Sequence, residues 1–550
     1  MDRSFFKAAI FAALLAQSVT AAPPELKHLY PAAGKQGTNS LVSIGKADPP
    51  PQLWSSSPGV TFTPTPMLGT YNVEIAADAA PGPHLVRAIN AEGASAPRFF
   101  IVSREPELRD AEPNDDTGKP QAIAVLPATI GGRLDKNGDV DAYAVTLKQG
   151  QTLVAWVEAY VLASTFDGLL RITDAAGRVQ AFNHDGRNLD PLLAWTAPQD
   201  GTFIVQLMGF AHPPQSSVQF TGGEGCVYRL HLTTGPVIRF TAPMMIQAGE
   251  KTPVLAVGWN LPEPKVEVDA TQLTAGSNVS ASPIAGAVCL QPISVSDLRE
   301  SVEVDAAGRP PQTLEIPGAI TGRIRAAAEQ DHYTFTAVKG RAYEIKVTGA
   351  QAGSPLDAWL SLKNADGKEL VRNDDAGSRD PKLLWTAPTD GVFTAAIGDV
   401  THRGGDDFLY RFAIAEAAPS VSASTTSHAI AVAPGKTAEI KVAVKRAHGF
   451  KPKLELAAAD LPPGVTAAAV EVPEKDGDAT IKLAAEESAA PAGHAFRLVL
   501  REKEGGREHP VRYHLAATSE NNGVPQGYAE LVINDTEQLF ITVTAPEKAK

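Results

Sequence analysis

Hydrophobic and polar residues alternate with a period of two along much of this chain. Tyr143, Val145 and Leu147 alternate with Ala144 and Thr146. Tyr333, Phe335 and Ala337 repeat the pattern, and Phe203, Val205 and Leu207 correspond to Phe393, Ala395 and Ile397. This spacing predicts strands with one buried face. Turn residues punctuate them at 174–177, 364–367, Asp200-Gly201 and Asp390-Gly391. Convincing helical periodicity is absent. The chain therefore reads as all-β, built of tandem antiparallel β-sandwich or jelly-roll and immunoglobulin-like domains.

A long repeat organises these strands. NHDGRNLDPLLAWTAPQDG (183–201) returns as NDDAGSRDPKLLWTAPTDG (373–391), at a constant offset of 190 (Asn373 against Asn183). The offset needs no gap from about residue 115 to 201. A longer loop in the first copy then brings it to 182 (Tyr410 against Tyr228). Self-similarity of this length predicts duplicated domains. The expected divisions are residues 22–104, an immunoglobulin-like β domain; 105–235, the first copy; 236–304, a small β domain; 305–416, the second copy; and 417–550, a final sandwich.

Composition narrows the class. The chain has 550 residues, 43% hydrophobic and 20% charged, with a net charge of −13. That balance argues against nucleic acid as a partner and is compatible with divalent cations. Residues 1–21 read as a secretory signal: Arg3 and Lys7, an apolar run at 8–16, then small residues before Ala22. The run is too short for a membrane span, and no other run approaches that length. Export to the periplasm or the extracellular space is expected. Cys226 and Cys289 are the two cysteines, either bridged or both buried strand thiols.

AEPNDDTGKPQAIAVLPATIGGRLDKNGDVDAYAVTL (111–147), followed by GLLRITDAAGRV and TAPQDGTFIVQL, resembles the bacterial pre-peptidase C-terminal domain. The second copy keeps the body of the pattern but opens on VEVDA (302–306) instead of EPNDD (112–116). The segments at 29–45 and 241–258 look like TIG-type modules, and the tail with LPPGV (461–465) looks like NEW3-type immunoglobulin-like domains. The resemblance implies an exported, non-catalytic module, usually attached to a secreted peptidase or another extracellular protein. In bacterial collagenases a related module binds calcium and substrate.

The search for catalytic chemistry finds no complete motif. There is no H-E-x-x-H. Gly93-Ala-Ser95-Ala-Pro97 lacks the last glycine of a nucleophile elbow. Gly435-Lys436-Thr437 lacks the first glycine of a phosphate loop. His184-Asp185 offers an acid–base pair, but the second copy has Asp374-Asp375 there.

The acidic residues say more. A hairpin turning at 174–177 sets residue 168 against 184, so Asp167, Asn183, Asp185 and Asp190 are expected at one end. Asp357, Asn373, Asp375 and Asp380 are their counterparts. Converging carboxylates need a cation, and hard oxygens suit Ca²⁺. The alternative is that these residues cap turns. A second cluster belongs to the first copy alone: Glu112, Asn114, Asp115 and Asp116, with the comb Asp135, Asn137, Asp139 and Asp141. The second copy offers Val302, Val304, Asp305, Ala306, Glu329 and Asp331. Trp156 and Tyr160, on one face of a predicted strand, are either an exposed platform for a glycan or protein polymer or are covered by a neighbouring domain. The expected protein is a secreted, non-enzymatic binding or structural protein. The competing readings are an accessory of a separate secreted hydrolase, or a hydrolase whose site leaves no local motif.

Overall fold

The computed structural model describes residues 22–115, 118–212, 214, 216, 218–279, 282–304, 310–376, 378–515 and 531–545. The expected signal (1–21) and the candidate ligand Asp116 lie outside the described residues, as do Asp305 and Ala306. The described residues form strands joined by turns, with two short 3₁₀ turns at Tyr160–Leu162 and Ala350–Ala352. The all-β expectation holds. Among the described residues, no helix is long and apolar enough to cross a membrane.

The repeated segments share one topology. In the first, β1 (Leu108–Arg109), β2 (Gln121–Ala122), β3 (Ala128–Arg133), β4 (Asp141–Leu147) and β5 (Thr152–Glu158) precede β6 (Phe166–Asp174), β7 (Val179–Asn183), β8 (Leu192–Thr196), β9 (Gly201–Ala211) and β10 (Val227–Thr233). They form two five-stranded sheets, ordered β2-β4-β9-β6-β7 and β8-β5-β10-β3-β1. In the second segment, β11 (Arg299–Val302), β12 (Gln312–Thr313), β13 (Gly318–Arg323), β14 (Asp331–Ala337) and β15 (Ala342–Thr348) precede β16 (Ala358–Lys363), β17 (Glu369–Asn373), β18 (Lys382–Thr386), β19 (Gly391–Asp399) and β20 (Leu409–Glu416). Their order is β12-β14-β19-β16-β17 and β18-β15-β20-β13-β11, position for position the same.

The alternation explains the cores. Tyr143, Val145, Leu170, Val205 and Tyr228 are buried between the first pair of sheets, and Tyr333, Phe335, Leu360, Ala395 and Tyr410 between the second. Close packing explains the glycines of β3 and β13. A Cβ on Gly132 would lie 2.2 Å from the Tyr228 ring, and one on Gly322 would lie 2.4 Å from the Tyr333 hydroxyl. Only glycine lets these tyrosines cross the strand.

Each sandwich is clasped to the segment before it in the same way. Arg229 donates to Glu107 Oε1 at 2.6 Å and to Ser103 Oγ at 3.3 Å. Arg411 donates to Glu300 Oε1 at 2.6 Å and to Ser296 Oγ at 3.3 Å. The guanidinium groups are nearly buried in both cases. The first and last described domains also touch. Trp54 and Phe540 are in edge contact, and Leu85, Phe99, Leu515 and Leu531 pack around the Tyr160 turn.

Candidate metal centres

Five carboxylates of the first sandwich converge where the lead-in loop meets β4. Oxygens of Asp110, Glu112 and Asp141 lie within 4.8 Å of one another, and so do those of Glu112, Asp115 and Asp139. Asn114, Asp139 and Asp141 are 1%, 0% and 0% exposed, and each keeps a buried oxygen without a hydrogen-bond partner. The other oxygens are in use. Asp110 Oδ1 accepts from Asn114 Nδ2 at 2.7 Å and from the Tyr143 hydroxyl at 2.8 Å, while Asp141 accepts from the Tyr228 hydroxyl. Burial, then the Asp115 side chain, push Asp139 up to about 7. Burial, then the Asp110 charge, push Asp141 up to about 9. Orphaned buried oxygens among crowded carboxylates fit a hard divalent cation, which replaces the missing donors and offsets the charge.

The expected comb is only half involved. Asp135 turns to Arg133 at 2.6 Å, and Asn137 accepts the Gly222 N–H at 3.2 Å. Asp110 was not among the sequence candidates. Its position two residues before Glu112 was the available signal. In the second sandwich Glu303 and Asp331 flank Tyr333 and Tyr410, and burial raises both acids while the charge of Arg325 opposes it. Burial still pushes Asp331 up, to about 7.

The hairpin ends depart from expectation. The observed pairing sets Leu170 against Asn183, with a bulge between Ile172 and Thr173 that moves the register by one. Asp190 does not join Asp167 and Asp185. Its buried carboxylate accepts the N–H groups of Ala159, Tyr160 and Val161 at 2.9–3.1 Å, and so holds the 3₁₀ turn. Burial pushes its pKa to about 7 against those bonds. Asp380 does the same for Gly349, Ala350 and Gln351 at 2.8–3.0 Å. Asn183 and Asn373 spend their side-chain oxygens on the Leu192 and Lys382 N–H groups. These four residues are backbone clamps, but Asp190 and Asp380 hold turns about thirty residues away and not their own turns as the capping alternative had it.

What remains of the first hairpin end is mixed. Asp167, His184 and Asp185 bring one ligand atom each within 4.8 Å of the others. His184, set aside in the sequence, stands between the two aspartates. Its pKa is raised, first by Asp167 beside it. In the second sandwich Asp374 replaces His184, and the charge of Arg379 acts on Asp357, opposing the burial that raises it. Asp375 is exposed there.

The aromatic platform is overturned. Trp156 is 5% exposed, stacked on His231 at 4.6 Å and covered by Leu192, Val237 and Leu290. Tyr160 is 1% exposed and starts the 3₁₀ turn, so the alternation that put it beside Trp156 breaks off. Trp156 instead helps to line a cleft of roughly 500 Å³ with Glu105, Glu158, Arg187, His231 and Leu290. The serine of the incomplete elbow, Ser95, is buried and donates to the Ala96 carbonyl at 2.7 Å. Both cysteines are free thiols.

No family model matches the chain. A probable subtilase-type serine protease of Deinococcus radiodurans is 28% identical over 208 residues, which cover 34% of this chain. The chain spans 28% of that protease's length. Among solved structures, the pre-peptidase C-terminal domain of a Bacillus anthracis collagenase aligns over 99% of its own length and 20% of this chain, with 12% identity and a TM-score of 0.17. Tripeptidyl peptidase 2 aligns over 94% of this chain and 39% of its own, with 10% identity and a TM-score of 0.13.

Proposed function

We propose that this is an exported, non-catalytic β-sandwich protein whose first repeated module is stabilised by calcium, and that it serves a secreted peptidase or related hydrolase. The observation that carries the calcium reading is the trio of buried, unpartnered oxygens on Asn114, Asp139 and Asp141. Asp110, Glu112, Asp115, Asp139 and Asp141, with the Asn114 carbonyl, are the residues that would hold the ion. Lys136 meets Asp115 at 2.9 Å and comes to 3.9 Å of Asp139, and bound calcium would supply the rest of the positive charge that five carboxylates need. Asp110 and Asn114 brace each other, and Tyr143 and Tyr228 fix the orientation of Asp110 and Asp141. The pre-peptidase-like pattern of residues 111–147 supports the peptidase association, as does the partial similarity to a subtilase-type protease. On this reading the two sandwiches are pre-peptidase C-terminal-like modules set among immunoglobulin-like ones.

Two measurements on the mature chain test the proposal. Calcium titration followed by calorimetry should show saturable binding that Asp141→Asn removes. A pull-down from culture supernatant should retain a hydrolase, while the chain alone cleaves neither peptide nor glycoside. Turnover by the purified chain, abolished by one point substitution, would return it to the enzymes.

A further inference from the structure

We propose that the Asp167–His184–Asp185 end of the first sandwich is a second metal site, built for a first-row transition ion of the Zn²⁺ kind. His184 Nε2 and Asp167 Oδ1 lie 3.3 Å apart, and His184 Nδ1 lies 3.8 Å from Asp185 Oδ2. The first two atoms are buried and face each other, and neither makes a well-aligned hydrogen bond elsewhere. Two ligands bound at about 2.0–2.1 Å in a tetrahedral shell sit about 3.3–3.4 Å apart. The Nε2–Oδ1 spacing, that of an ion pair in the ion-free site, is also the spacing of two ligands of one ion, and Asp185 brings an oxygen within 4.8 Å of both residues.

A second histidine stands near this face, outside the group of three. β9 sets Phe210 opposite Asp167, and His212 follows directly after the end of that strand. His212 is 5% exposed, its Nε2 has no hydrogen-bond partner, and the Asp167 charge acts on it. Imidazole with carboxylate suits zinc and its neighbours, whereas calcium takes oxygen alone. The two sites therefore select different ions, and this one does not depend on the calcium reading. The charge of Arg379, from the second sandwich, also acts on Asp185, which puts the site at the seam between the repeats.

The second repeat supplies the control, because it carries Asp374 where the first carries His184. His184→Asp places in one copy a residue that the same fold already carries in the other. Equilibrium dialysis of the mature chain against Zn²⁺, in excess Ca²⁺, should find one more tightly held zinc in the wild type than in the variant. The variant's affinity at this site should fall roughly a hundredfold or more, since even outer-sphere changes cost 10–100-fold. Cobalt substitution should give the intense visible bands of a four-coordinate ion in the wild type only. Equal zinc content and matching cobalt spectra in the two proteins would overturn the proposal. If the variant does not fold, Asp185→Asn reads the same two quantities, and unchanged values there overturn it as well.

Discussion

Arg325 stands in the second sandwich where Asp135 stands in the first. The two residues share the repeat offset of 190, follow equivalent strands, and carry opposite charge. The second repeat sets Arg325 against two acids, whereas the first crowds five carboxylates around Lys136, which meets Asp115 at 2.9 Å and comes to 3.9 Å of Asp139. Calcium should therefore raise the melting temperature of the wild type through the first sandwich alone. Asp141→Asn should remove that rise, and Asp331→Asn should leave it intact. At a free concentration a hundred times the dissociation constant, the gain is roughly 2.7 kcal/mol. Equal melting curves in calcium and in chelator would leave the corner a proton-sharing cluster.

The same corner predicts a pH dependence. Asp139 and Asp141 have folded pKa values of about 7 and about 9, above the ordinary 3.8. Their protonation stabilises the cation-free fold fully below the unfolded value. That contribution is lost as pH rises through about 7 and then about 9. Calcium competes with those protons. Its stabilising effect should thus be larger at pH 8 than at pH 5, measured as the difference between melting temperatures with ion and with chelator.

Asp190 and Asp380 should behave as a matched pair. Each carries three backbone N–H groups on a buried carboxylate. Hydrogen bonds to a charged group are worth about 1.5–3 kcal/mol each and leave a penalty when one partner goes. Asp190→Ala and Asp380→Ala should each cost on the order of 3 kcal/mol or more by urea denaturation. Neither loss should depend on calcium or zinc.

Trp156→Ala should act on stability. Removing a buried Trp costs about 3–5 kcal/mol, and here it also strips cover from Val237 and Leu290. A lowered denaturation midpoint is expected. A polymer-binding screen in which this variant keeps wild-type stability but loses affinity would restore the platform.

The strands and the repeat were legible because alternation and offset are local and additive. Tyr143, Val145 and Leu147 are buried as their spacing requires. Much of the lead-in cluster was also legible, since Glu112 with Asn114 and Asp139 with Asp141 fall in two short acidic runs. The hairpin ends were not. A single bulge shifted the register there, and Asp190 found three N–H donors on a turn thirty residues away that no pattern announced. Trp156 failed as a platform for a similar reason. A two-residue period tells one face from the other, but not which face a neighbouring segment covers.

The paired clasps, Arg229 on Glu107 and Ser103, Arg411 on Glu300 and Ser296, bear on how this chain can be taken apart. Glu158 and Glu300 belong to the sandwiches themselves, so a cut ahead of each sandwich leaves its nearly buried guanidinium with a carboxylate but takes away the Ser103 or Ser296 hydroxyl that ties it to the preceding segment. The natural brick is then the sandwich together with the strand before it that carries Ser103 or Ser296. Grafting, swapping or deleting whole bricks leaves every such joint closed, whereas trimming to a lone sandwich opens one.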